Sequence, residues 1–154
     1  TAFGSSGLAL LGDTADTQPT FHGFTLTVAG TGSPSNTGKL ALSVIDSTQA
    51  ALALRTLSTG LVVLNQWNFV AVSVDEAAGT GVIQVNGSQD AFTSTYASPD
   101  TSNATATLGI GQDGAGEGPA VSGQRSANLI MWDRSLSSVE LTALFSATKG
   151  KFGF

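Results

Sequence analysis

The sequence predicts an all-β protein, two stacked antiparallel sheets forming a sandwich, with one short helix near the C-terminus. Three observations carry that expectation. Apolar side chains alternate with small polar ones in segment after segment, as Phe24, Leu26 and Val28 do with Thr25 and Thr27. A half-buried strand has this period of two and a helix does not. Clusters of Gly, Ser, Pro and Asn punctuate the runs at short intervals, as turns do in sandwiches and barrels. Only one stretch, starting at Ser137, has a clear helix-start signature.

In chain order, Leu8-Ala9-Leu10-Leu11 reads as a short edge strand between glycines, followed by a polar segment over 13–20. Residues 24–28 form a half-buried strand, and 30–38 a Gly/Ser/Pro/Asn loop. Leu40, Leu42 and Val44 give a third strand, with Lys39, Ala41 and Ser43 on its other face. Residues 50–57 are ambiguous, because Ala51, Leu54 and Leu57 also fit a helical stripe; the short β segments on both sides favour a strand. Residues 61–64 read as one more short strand.

The centre of the chain is 66–87. Val70, Val72 and Val74 alternate with Phe69, Ala71 and Ser73, residues 75–81 are rich in turn formers, and Val82-Ile83-Gln84-Val85 resumes the β pattern. Asn86-Gly87 then closes a tight hairpin, since both central residues of that turn need positive φ. Trp67 stands just before the first strand as a large anchor. Partner strands are expected over 88–95 and 105–110, a turn over 99–103, a Gly-rich loop over 109–123, and a last strand over 127–132. Ser137 and Glu140 have capping-box spacing, with Leu136 and Leu141 placed as a hydrophobic staple. The helix is expected from about Ser138 to Ala147, stopping before Gly150. Phe152 and Phe154 are expected to pack on the sandwich or on a partner.

At 154 residues the chain fits one domain over 1–154. A hydrophobic content of 41% with 19 glycines is globular, and only 11% of residues are charged. The net charge is −5 and the six Lys and Arg residues are scattered, so nucleic acid and anionic membrane surfaces are poor partners. Without cysteine there is no disulfide and no thiolate metal site. No apolar run reaches the length of a membrane span, and no signal-like segment opens the chain. Thr1 fits either a chain whose initiator Met was trimmed or an excised module.

Four pieces in order, Gln66-Trp67-Asn68-Phe69-Val70-Ala71-Val72, Val85-Asn86-Gly87, Leu108-Gly109-Ile110-Gly111 and Met131-Trp132-Asp133-Arg134-Ser135-Leu136 through Glu140 and Leu144, resemble laminin G-like, concanavalin A-like domains. The resemblance covers about residues 60–147 and implies a jelly-roll sandwich. In this fold adhesion modules, lectins, hydrolases and virion surface proteins all occur, so activity must be argued from sites. Two departures stand out. Family members often have His after the Trp, where this chain has Asn68, and the calcium-binding acids of adhesion-type members have no clear counterpart.

Glycoside hydrolysis needs two carboxylates flanking the bond, and hydrolases of this fold carry acids alternating along one strand. Here no predicted strand has more than one acid, and Asp75-Glu76 lies at a turn, so catalysis is not expected. His22 is the lone histidine and reads as a solvent-facing strand-start residue. Gly109-Ile110-Gly111-Gln112-Asp113-Gly114 matches a dinucleotide fingerprint by letter but is followed by Ala-Gly-Glu-Gly-Pro in place of a helix, which removes the phosphate site. No cofactor is expected. Asp113 and Glu117 offer calcium two carboxylates among glycine carbonyls, few for an ion that takes six to eight oxygens, and solvated loop acids are the plainer reading. Asn86-Gly87-Ser88 and Asn103-Ala104-Thr105 are glycosylation sequons.

Trp67, Asn86, Gly87, Trp132, Ser137 and Glu140 read as structural anchors. Ligand contacts are expected from Phe92, Tyr96, Gln112, Asp113, Glu117 and Arg125, on loops or the concave face near 111–123. The leading reading is a non-catalytic binding or adhesion module on an extracellular or particle surface, with a glycan the ligand the resemblance implies and a protein surface the other partner. The rival is a structural subunit, a homo-oligomer or larger assembly such as a virion decoration or tail protein. It rests on uncharged strand faces such as Thr25/Thr27, Ala41/Ser43 and Thr105/Thr107. A glycan-active hydrolase is third and lacks its carboxylates.

Overall fold

A computed structural model of the chain describes residues 8–12, 23–45, 52–93, 108–111 and 124–153. The strands are β1 (Leu8–Gly12), β2 (Phe24–Val28), β3 (Lys39–Ile45), β4 (Leu52–Leu61), β5 (Val70–Asp75), β6 (Thr80–Val85), β7 (Ser88–Thr93) and β8 (Gly109–Ile110), followed by helix α1 (Ser138–Phe152). They form two antiparallel sheets, a larger one ordered β4-β3-β2-β1-β8 and a smaller one ordered β5-β6-β7.

The sheets face each other across a shared core. Val28, Leu40, Leu42 and Val44 of the larger sheet and Ile83 and Val85 of the smaller are buried together, with Val70, Val72, Val74 and Phe92 packed against them. Full burial of such a side chain contributes about 1.5–3 kcal/mol. The pairing Val70↔Val85, Val72↔Ile83 and Val74↔Gly81 puts every second residue of the hairpin on this face. Ser73, Gln84 and Gln89 fall on the opposite face and lie under α1. There the Ser73 hydroxyl accepts from the Leu136 N–H at 2.7 Å, and Gln89 Nε2 donates to Gln84 Oε1 and to the Ser138 carbonyl.

Four sequence expectations are corrected. β1 is not an edge strand, because it pairs with β2 on one side and β8 on the other. Residues 50–57 and 61–64 are not two strands; β4 is continuous to Leu61, and 62–69 is a loop turned by Asn65 at φ 62. Residues 124–132 form no strand, and Asn128 at φ 55 breaks any extended run through them. The helix passes through Gly150, an exposed position where glycine costs only about 1 kcal/mol. It ends at Gly153, whose φ of 76 supplies the left-handed cap.

A bulge in β4 joins the two sheets. The β3–β4 register jumps from Ala41↔Leu57 to Lys39↔Leu61, which leaves the backbone around 58–60 out of the ladder. Buried Ser58 replaces the missing ladder partner, accepting from the Leu40 N–H at 2.9 Å and donating to the Gly60 carbonyl. Asp90 of β7 accepts from the Thr59 N–H and from its hydroxyl, both at 2.7 Å. Gly60 then sits so close to the other sheet that a Cβ there would lie 3.1 Å from the Ser88 Cβ.

The capping box of α1 is present, with the Ser137 hydroxyl accepting from the Glu140 N–H and Glu140 Oε2 accepting from the Ser137 N–H. Leu136 and Leu141 are both buried, as the staple requires. Arg134 pairs with Glu140 at 2.6 Å. Hydrogen bonding from Arg134, then from Ser137, lowers the Glu140 carboxyl to a pKa of about 2.

Two outcomes are expected. Asp90→Ala removes both hydrogen bonds to the exposed Thr59 at the bulge and lowers stability in urea melts by about 0.5–1.5 kcal/mol. A depressed carboxyl stabilises above its unfolded pKa of about 4.5 and loses that contribution as pH falls toward about 2. The melting temperature of the wild type therefore falls on acidification from pH 5 to 2 by more than that of Glu140→Gln, measured by helical circular dichroism.

Candidate functional site

Two carboxamides lock the turn that precedes β5. Asn68 Oδ1 accepts from the Val63 N–H at 2.9 Å, while its Nδ2 donates to the Val63 and Gln66 carbonyls. Asn86 Nδ2 donates to the same Asn68 Oδ1, and Asn86 Oδ1 accepts from the Phe69 N–H at 2.8 Å. The hairpin tip is therefore tied to the turn 63–68 from both sides. Asn86 and Gly87 have φ of 50 and 89, as the two-residue turn between β6 and β7 demands.

Helix α1 docks its C-terminal half on this turn. Phe145 meets Phe69 edge-on and Phe152 meets Trp67 at a tilt, both with ring centroids 5.5 Å apart. A Cβ at Gly87 would lie 2.7 Å from the Phe145 ring, so glycine is needed there for space as well as for φ. Lys151 Nζ sits 5.6 Å from the Phe152 centroid and Lys149 Nζ 6.0 Å from that of Phe145. Trp67 anchors the helix yet keeps 41% of its surface open. Asn65 and Gln66, its neighbours in the turn, are exposed, and their carboxamides have no partner among the described residues. Asn65, Gln66, Trp67 and Lys151 together form the candidate site.

The residues singled out from the sequence fare unequally. Phe92 is not an exposed platform. It pairs with Gly81, and its ring fills the space a side chain at that glycine would take, in contact with the core. Tyr96, Gln112, Asp113, Glu117 and His22 lie outside the described residues. Arg125 is exposed on 124–132, where Leu129, Ile130, Met131 and Trp132 are also exposed. Trp132, expected as a core anchor, is 45% exposed, because the strand that would carry it inward is not formed. Asn86, Gly87, Ser137 and Glu140 do hold turn and helix as described above. The Asn86 carboxamide is committed to Phe69 and Asn68, which makes the first sequon a poor acceptor; the second lies outside the described residues.

Three described carboxylates serve structure. Asp75 Oδ1 accepts from the Ala78 N–H in the β5–β6 turn, Asp90 holds Thr59, and Glu140 caps α1. Among the described residues no three His, Cys, Asp or Glu side chains gather as a metal would require, and no helix is long and apolar enough to cross a membrane. Sequence reasoning missed Asn65 and Gln66 as a pair with Trp67. The signal was present in two consecutive carboxamides placed immediately before an indole.

The sequence matches the family described as Concanavalin A-like lectin/glucanases superfamily over residues 3–142. No curated protein matches. Among solved structures, the chain is similar to an S-layer domain-containing protein (residues 221–444) from Clostridium thermocellum, at 18% identity and a TM-score of 0.44. The match covers 84% of this chain and 59% of that one, so this chain spans less than two thirds of its length.

Asn68→Ala is expected to lower stability by about 0.5–1.5 kcal/mol, because the exposed Val63 N–H and the part-buried Asn86 amide lose their acceptor. Asn68→Asp is expected to cost at least as much, since it places a carboxylate oxygen against the Val63 and Gln66 carbonyls. Urea denaturation of the two variants checks both.

Proposed function

The chain belongs to the concanavalin A-like lectin/glucanase superfamily, in its laminin G-like branch, and from that premise we propose that it is a non-catalytic module that binds glycans at a cell or particle surface. The observation that carries this reading is the half-open indole of Trp67 on a turn that Asn68 and Asn86 hold rigid. Sugar-binding sites combine an aromatic face with a few fixed polar groups, and a rigid turn lowers the entropy lost on binding. Asp75, Asp90 and Glu140 are each engaged with backbone N–H groups, which fits a binding role better than acid–base chemistry.

A second reading, an assembly subunit, is favoured by a different feature. Leu129, Ile130, Met131 and Trp132 are exposed in succession, and Leu108 and Ile110 flanking or within β8 are exposed as well. Runs of this kind mark protein contacts. Glycan-array binding combined with light scattering separates the two. A monomer that gives array signals supports the module. An oligomer with no array signal overturns the glycan reading in favour of assembly.

A further inference from the structure

We propose that the turn 63–68 is a sugar subsite for an anionic pyranose such as a uronate. The sugar stacks on Trp67, its hydroxyls meet the carboxamides of Asn65 and Gln66, and its carboxylate lies toward Lys151. This assignment rests on the glycan-binding reading above and gives it a location and a ligand class.

The geometry points to this turn for three reasons. Trp67 packs its ring at a tilt on Phe152 and still keeps 41% of its surface open. The open part of the indole is aromatic surface of the kind on which a pyranose C–H face can stack. Asn65 and Gln66 are one and two residues away, within roughly 4–8 Å along the backbone. Both are exposed and without a partner among the described residues, so their donors and acceptors are available to hydroxyls. The backbone presenting them does not need to reorganise, because Asn68 bonds Val63 and Gln66 on either side of them.

The charge at this end argues for an anion. The chain carries −5 overall, which disfavours acidic ligands except where basic side chains offset it locally. Two of its six basic residues, Lys149 and Lys151, fall in the last turns of α1, and Lys151 lies over the ring that packs on Trp67. Glu140 is eleven residues back along the helix, roughly 16 Å away, and is already paired with Arg134.

The test uses the Trp132→Phe background, so that indole fluorescence reports Trp67 alone, titrated with a tetragalacturonate and with a cellotetraose. The tetragalacturonate is expected to change the emission and to bind more tightly. Asn65→Gly with Gln66→Ala removes both amides, keeps the left-handed residue in the turn and leaves the unfolding midpoint unchanged. This double variant is expected to bind roughly tenfold more weakly, as central contacts of an interface do. Lys151→Ala is expected to weaken tetragalacturonate binding about two- to fivefold, the range of an exposed ion pair, and to leave cellotetraose binding unchanged. Wild-type array signals with variants that bind as tightly as wild type overturn the subsite while the glycan reading stands. Equal affinity for both tetramers overturns the anionic assignment. The absence of any glycan binding by the wild type overturns the subsite together with the reading it rests on.

Discussion

A strand that leaves its ladder must hand its backbone hydrogen bonds to something else, and that constraint organises this molecule at β4. The bulge at 58–60 removes the β3 partner of several backbone groups. Ser58 satisfies Leu40 from within the same strand, while Asp90 satisfies Thr59 from the other sheet. The buried Leu40 N–H is satisfied within the larger sheet by Ser58, while the exposed Thr59 N–H takes a carboxylate acceptor from the smaller one. One polar side chain thus turns a local irregularity into a bond between the two sheets, beside the apolar core they share.

The same logic recurs in the loop that follows the bulge, at the tip of the β6–β7 hairpin. The loop after β4 has no ladder of its own, and the two asparagines at 68 and 86 supply its missing partners. Because Asn86 is also the first residue of the hairpin turn, the β6–β7 connection and the loop are fixed by one network. Helix α1 then rests on that network through Phe145 and Phe152. The polar face of the sheet beneath the helix is used in docking as well, with Ser73 receiving the backbone just ahead of Ser137 and Gln89 reaching its first turn.

These arrangements also shape what the surface offers a ligand. Among the described residues, Asp75, Asp90 and Glu140 are each bound to backbone, at a turn, a bulge and a helix start. Trp67 leaves part of its indole open beside exposed carboxamides on a turn held by Asn68 and Asn86.

Much of the fold was legible in the residues. The alternation in β2, β3 and β5, the Asn-Gly turn and the capping box are short-range signals, since a period of two, a positive-φ pair or an i, i+3 reciprocal cap is complete within a few residues. So the sequence alone determined which faces are apolar, where the hairpin turns and where the helix begins. It did not determine that β1 has neighbours on both sides, that Phe92 turns inward, that 124–132 forgoes a strand or that α1 continues past Gly150 to reach Trp67. Those outcomes depend on partners distant in sequence: β8 beside β1, Gly81 opposite Phe92, Thr59 held by Asp90 and the 63–68 turn beneath Phe152. A residue carries its own periodicity wherever it stands, but whether its side chain meets water or a neighbour is settled only when the two sheets close.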